Sequence, residues 1–435
     1  MKQSRNSLQE IIAARKNGDL VGVYSVCSAN PRVIETSFKF AVLEKIPLLI
    51  EATCNQVNQF GGYTGMLPDQ FAKFVWKLVE KHHLNKESLT LGGDHLGPFP
   101  WQDDPVQSAM QKASQMVHDY VCAGYTKIHL DASMKCADDD PDRPLDMEIS
   151  AARTAEICAV AEKAAVQSGR TDQIVYVIGT EVPRPGGVEI GEDEIKVTLV
   201  EDVNETIEVT KKAFLSRGLE QTWERVIAVV VQPGVEFGDN AIYNYERERT
   251  KKLSEFIRAD KQLVFEAHST DYQTGDALRQ MVEDNFTILK VGPELTFTYR
   301  EAVFALELIE IELLGGRPDT KLSNLRKVVD TVMLDDPSYW RKYYRGRESE
   351  QAFARKYSFS DRIRYYWPNP IVQAALKQLF ANLERFDIPT QLISQYLPVQ
   401  HQKILQHRIT KKPVALLEDK IKEILLKYSS ACGFG

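Results

Sequence analysis

A chain of 435 residues with 43% apolar and 26% charged content is long enough to bury a large core and has the make-up of an ordinary globular fold. Its net charge of −7, with no dominant basic stripe, argues against nucleic acid or an anionic membrane surface as the main partner. No apolar run reaches the roughly 18 residues of a membrane span, and six cysteines without CxxC spacing point to reduced thiols in the cytoplasm, not a disulfide framework.

The first 19 residues are polar and read as a short amphipathic helix, not a signal peptide. Beyond them, eight short apolar runs recur, at 21–27, 47–53, 88–93, 127–131, 174–180, 226–232, 262–267 and 287–291. Parallel strands covered on both faces have this short, continuously apolar character. Helical patterns lie between them, at 32–43, 68–82, 106–123, 148–168, 203–217 and 250–258, and one follows at 295–313. The alternation predicts an α/β fold, a (β/α)8 TIM barrel over residues 1–315. A doubly wound open sheet is the alternative, but no GxGxxG follows the first strand. A turn at Gly315-Gly316-Arg317-Pro318 marks a change of texture. Residues 316–435 are expected to form a helical extension packed on the barrel, ending in a helix at 414–428. Arginines stand among aromatics at 336–345 and 362–367. That mixture serves nucleic-acid stacking in some folds; the acidic total favours a helical cap or a subunit contact. Trp367 is the candidate contact residue of a homo-oligomer.

Working residues of such a barrel gather at the C-terminal ends of its strands. The third run ends in Leu91-Gly92-Gly93-Asp94-His95-Leu96-Gly97-Pro98, where an acid adjoins an imidazole. A neutral imidazole is the commonest metal ligand, and a carboxylate beside it can accept a proton. Other strand ends bring Ser28, Glu51, His129, Asp131, Glu181, Gln232, Glu236, Glu266, His268 and Lys290. The set His95, Glu236 and His268 is expected to hold one divalent metal ion, with Glu181 as a fourth or alternate ligand. Nitrogen and oxygen donors suit Zn, Mn, Co or Ni better than Ca. His129 lies inside an apolar run and reads as a core histidine at least as well as a ligand. Lys290 reads as a charge partner for a carboxylate ahead of a Schiff-base amine.

The pair Asp94-His95 resembles that of class II aldolases, as do Ile128-His129-Leu130-Asp131-Ala132-Ser133, Glu181 ahead of Gly186-Gly187, His268-Ser269-Thr270 and Lys290-Val291-Gly292. Longer stretches starting at Cys54, Leu91, Val177, Val231, Glu266 and Leu392 resemble the Z-type subunits of tagatose-1,6-bisphosphate aldolase over nearly the whole chain. The resemblance implies a class II aldolase-like barrel with Asp94 as acid/base and His95 on the metal. It also implies a Y-type catalytic subunit as partner. Relatives are associated with metal-dependent C4 epimerisation of tagatose and fructose. No P-loop supports the kinase label that some members carry.

Three departures bear on substrate. Glu236 stands in the place of the aldolases' second metal histidine, the loop His268-Ser269-Thr270-Asp271 lacks its glycine, and Gly292 replaces an asparagine. Phosphate is usually held by clusters of backbone N–H groups, and Asp271 would repel it. The expected function is therefore C4 epimerisation of D-tagatose and D-fructose by retro-aldol chemistry, with a non-catalytic aldolase subunit as the alternative. The substrate is a ketohexose or its phosphate. Asp94 is the expected base, and Glu181 or Asp131 handles the second proton. Ser28, Asn55, Gln56, Asn58, Gln59, Gln232, Ser269, Asp271 and Lys290 are expected to bind the sugar.

Overall fold

Runs such as Val226-Ile-Ala-Val-Val-Val231 place bulky side chains on both faces, so each strand needs cover on both sides. A closed parallel barrel supplies that cover. The computed structural model describes residues 7–179 and 195–434. Its barrel strands are β1 (Val23–Val26), β2 (Leu48–Thr53), β3 (Leu89–Leu96), β4 (Lys127–Leu130), β5 (Val175–Ile178) and β6 (Val226–Val231). After a small antiparallel hairpin, β7 (Glu236–Phe237) and β8 (Ile242–Tyr243), come β9 (Val264–Ala267) and β10 (Phe286–Val291). The barrel closes where β1 pairs with β10, and every barrel pairing is parallel. All eight predicted runs are barrel strands. Among the described residues, two α-helices between strands went unpredicted: the four-residue Glu220–Trp223, and Gly275–Glu283, which spans nine residues and is capped by Thr274.

Helix Ser7–Lys16 closes the N-terminal end of the barrel. Its Leu8, Ile11 and Ile12 pack on Val23, Leu49, Val175 and Ile288 inside the strands. At the other end the mouth is left open for polar side chains. Among the described residues, no helix is long and apolar enough to cross a membrane.

Beyond residue 316 the chain is helical, and its apolar side chains join the same core as the barrel helices. The last helix, Pro413–Ala431, packs against Pro31–Glu44, Gly275–Glu283 and Pro293–Leu314. Tyr428 Oη donates to the Thr270 carbonyl oxygen at 2.7 Å, and Lys427 pairs with Glu294 at 2.5 Å. The final helix thus braces two loops of the mouth. Some arginine–aromatic pairs of the extension are buried, as with Arg355 at 4.9 Å from the Trp340 ring centroid.

The reading of Trp367 as a contact between copies is corrected here. Trp367 is only 3% exposed and sits edge-on to Tyr299 at 5.2 Å, so it is internal packing. Trp367→Ala should cost about 3–5 kcal/mol of stability, seen as a lower urea midpoint. The mass in solution should stay the same; a changed mass would restore the contact reading.

Candidate metal centre and active site

The turn after β3 is shaped by what cannot fit there. A Cβ on Gly97 would lie 1.6 Å from the Asp131 carbonyl oxygen, and one on Gly92 would lie 2.7 Å from Glu51 Cγ. Successive residues of a regular strand point to opposite faces. Here the register with β4 slips between Gly93 and Leu96, and His95 takes a left-handed φ of 50°. Such a bulge re-aims side chains, so Asp94 and His95 both reach the same cavity. Gly97→Ala should cost about 1–3 kcal/mol or more by pushing β3 from β4. A thermal melt would read it, and an unshifted melt would refute the close approach.

Beneath the mouth lies a buried charged layer. Lys127 Nζ bridges Glu51 and Glu266 at 2.8 Å each. Lys290 Nζ reaches Glu51 at 2.5 Å, Asp94 at 2.8 Å and Glu266 at 3.4 Å. Burial works against the Lys290 charge, but Asp94, Cys27, Glu266 and Glu51 outweigh it and hold the amine well above its ordinary range. Lys290 is therefore a fixed cation, which is the charge-partner role and disfavours a Schiff base. Burial likewise opposes ionised Asp94, and Lys290 with the three histidines overcomes it, holding the carboxyl well below the usual range.

Three imidazoles stand on this layer, each with one ring nitrogen on a carboxylate. His95 Nδ1 lies 2.9 Å from Asp131, His129 Nδ1 2.9 Å from Asp94, and His268 Nε2 2.9 Å from Glu266. A proton on His95 Nδ1 and on His268 Nε2 makes those contacts hydrogen bonds and leaves each opposite nitrogen with a free lone pair; His129 Nδ1 also faces the His95 backbone N–H at 3.2 Å, which competes with Asp94 for that nitrogen. Those lone pairs converge. His95 Nε2 and His268 Nδ1 are 3.2 Å apart, and His129 Nε2 has no hydrogen-bond partner among the described residues. Burial pushes His268 down to about 3, so it stays a neutral imidazole, the form that binds metal.

One ligand atom from each of Asp94, His95, His129 and His268 falls within 4.8 Å of the others. Four buried carboxylates here (Glu51, Asp94, Asp131, Glu266) face two buried ammonium groups, Lys127 and Lys290. Two negative charges are left over, which one divalent cation would balance. Carboxylates that orient metal-binding imidazoles are a regular feature of such centres. The residues therefore fit a divalent ion.

The sequence-based set differs from this cluster. His95 and His268 belong to it, while His129 and Asp94 join them in place of Glu236. Glu236 is buried at the start of the β7–β8 hairpin, where its Oε1 accepts the Phe237 N–H at 3.0 Å, and it is not among the four residues whose ligand atoms cluster. Glu181 lies outside the described residues. Asp131 holds His95 and accepts from Ser133 N and Oγ, so it positions the ring and does not line the cavity. Burial opposes its charge, yet the bond to His95 brings its carboxyl to about 2.

Of the nine residues expected to bind the sugar, Ser28, Asn55, Gln56, Ser269, Asp271 and Lys290 line the cavity. Asn58 folds its own loop, accepting from Phe60 N and Gly62 N, and Gln59 donates to the Lys112 carbonyl oxygen. Gln232 accepts from Gly234 N. These three do structural work outside the cavity. Asp271 accepts N–H bonds from Gly292 and Glu294 at 2.9 and 2.8 Å, filling the start of helix Pro293–Leu314 with a carboxylate. Burial pushes that carboxyl up to about 7. Sequence reasoning gave no place at the site to Tyr63, Phe237, Thr296, Arg364 or Tyr365, which also line the cavity.

Residues 8–433 match the family model described as D-tagatose-1,6-bisphosphate aldolase subunit GatZ/KbaZ-like. The chain belongs to this family. A GatZ/KbaZ-like relative from Klebsiella pneumoniae, the D-tagatose-1,6-bisphosphate aldolase subunit GatZ, is 47% identical over 98% of this chain and 99% of its own length. The subunit of the same name from Escherichia coli O1:K1 is 47% identical over 98% of this chain and 100% of its own. The crystal structure of a probable tagatose 6 phosphate kinase from Sinorhizobium meliloti superposes with a TM-score of 0.85 at 44% identity, covering 94% of this chain and 100% of that one. The GatZ names carry an aldolase subunit, which weighs toward the subunit reading over the epimerase reading that the site residues alone put first.

Proposed function

We propose that this chain is a Z-type subunit of a tagatose-1,6-bisphosphate aldolase and works beside a Y-type subunit. Its 47% identity to GatZ subunits over nearly the whole length supports this reading. A second reading, that the chain has its own metal-dependent chemistry on a ketohexose, draws support from the three carboxylate-bound histidines. A scaffold has no need to bury three imidazoles with their lone pairs together.

Under that second reading, His95, His129 and His268 would hold Zn, Mn, Co or Ni, with Asp94 beside them. The ion would supply polarisation of the ketose C2 carbonyl. Asp94 Oδ1 already receives Lys290 and His129, whereas Oδ2 faces His95 Nε2 at 3.8 Å. Oδ2 is thus the oxygen that takes the C4 hydroxyl proton. The C3–C4 bond breaks, its electron pair passes to the carbonyl side, and C4 becomes an aldehyde. Rotation of that aldehyde and re-addition return the proton from Asp94 and invert C4. Lys290 keeps Asp94 ionised between turnovers, and Asn55 holds a sugar hydroxyl.

The test uses the purified chain stripped of metal and resupplied with Mn, Co, Ni or Zn, given D-fructose, D-tagatose or tagatose 1,6-bisphosphate. Metal-dependent interconversion of the free sugars that vanishes in Asp94→Asn supports the second reading. No turnover alone, with a rise in the activity or stability of a Y-type subunit on mixing, supports the first and removes the second.

A further inference from the structure

The helical extension reaches the barrel mouth at one place. Arg364 and Tyr365, which follow Asp361 on a turn of 3-10 helix (Arg362–Tyr366), line the cavity that Asp94 and His268 line. The Arg364 guanidinium donates to the backbone carbonyls of Ser360 and Asp361 and to Tyr365 Oη at 3.0 Å. None of those acceptors is a carboxylate. The Asp361 carboxyl turns instead to Thr296 Oγ1 at 2.5 Å, and burial pushes it up to about 7, so it gives Arg364 only part of a counter-charge. Beyond Arg364 lies a second cavity of ≈ 690 Å³, which shares Tyr63, Thr296 and Arg364 with the first as common wall.

A cation at a cavity wall with no carboxylate in ion-pairing distance among the described residues wants an anion, because a desolvated charge is costly unless paired. The other natural anion receptor of the mouth, the start of helix Pro293–Leu314, is already filled by Asp271. We propose that Arg364 receives an oxyanion, phosphate or carboxylate, at the end of the sugar far from the histidines. The proposal rests on the mouth being a ketohexose site. It makes the extension a reader of substrate charge, with one anionic end accepted and not two.

Calorimetry on the metal-loaded full chain tests this with D-fructose 6-phosphate, D-fructuronate and D-fructose. The wild type should bind one of the anionic sugars more tightly than fructose, by on the order of tenfold to 100-fold. Arg364→Met and Arg364→Gln should erase that preference while metal content and fructose binding persist. The glutamine variant retains a side-chain donor for the Ser360 and Asp361 carbonyls and serves if the methionine variant fails to fold. A preference confined to the phosphate or to the uronate identifies the source of the oxyanion. Equal binding of all three sugars by the wild type, or a preference that survives both variants, overturns the proposal. Turnover is followed in the same samples. Arg364-dependent binding without turnover retires the catalytic reading and leaves this inference standing.

Discussion

Alanine in place of His268 should leave a folded chain that no longer retains a divalent ion. Losing an outer carboxylate partner typically costs 10–100-fold in metal affinity, so removing a ligand should cost at least about 100-fold. Asp131→Asn, which only loosens His95, should fall within that outer range. Metal affinity should also decline as pH falls. Burial lowers the His95 value, but Asp94 and Asp131 outweigh it and hold the ring above its ordinary range, so a proton competes for this nitrogen at higher pH than for a free imidazole. Equilibrium dialysis with elemental analysis would measure all three effects. Full metal occupancy in the His268 variant would end the three-histidine assignment.

The second large effect should come from Lys127→Met. The ammonium lies wholly inside the barrel between Glu51 and Glu266, and its loss strands two carboxylates. Breaking a buried pair in this way costs about 3–5 kcal/mol. Lys290 still reaches both carboxylates, which argues for the lower end of that span. The deficit should shrink in acid. Burial raises the Glu266 carboxyl, yet Lys127, Lys290 and His268 overcome it and hold it well below its ordinary value. A carboxyl depressed in the folded state adds stability above its unfolded value and loses it as pH falls through the folded one. The variant has less of that stability to lose. Urea midpoints at neutral and acidic pH would show the gap narrowing; a gap that widens in acid would contradict the layer's charge assignment.

Much of the barrel was legible because buried parallel strands must be apolar on both faces, which leaves a mark that periodicity reads directly. The Asp94-His95 turn was legible for a related reason, since glycines crowd where backbones meet. What escaped notice depended on distance in sequence. Lys127 opens a strand without any local sign that Glu51 and Glu266 await it, though a lysine in so apolar a run was itself a clue. His129 stayed ambiguous because a core histidine and a metal ligand differ only in what faces the second nitrogen. Glu236 looked like a ligand from its place after β6, and the two-residue strand it opens, outside the four-residue cluster, is too short to announce itself. Arg364 and Tyr365 read as part of an aromatic cap, and their position at the mouth follows only from the path of the extension. Asn58 and Gln59 show the converse error: amides in a loop beside the mouth fold the loop first.

The bracing of the mouth by the last helix, Pro413–Ala431, also says something about biogenesis. The faces it covers, on Pro31–Glu44, Gly275–Glu283 and Pro293–Leu314, are all translated well before it. A ribosome that has finished the barrel strands therefore holds a nascent chain whose outer helices still show bare apolar stripes and whose Thr270 loop lacks its bond to Tyr428. Such surfaces are what chaperones bind and what drives aggregation. Maturation must wait until this helix has been made, and a fragment ending at residue 315 should come out of the cell insoluble or chaperone-bound.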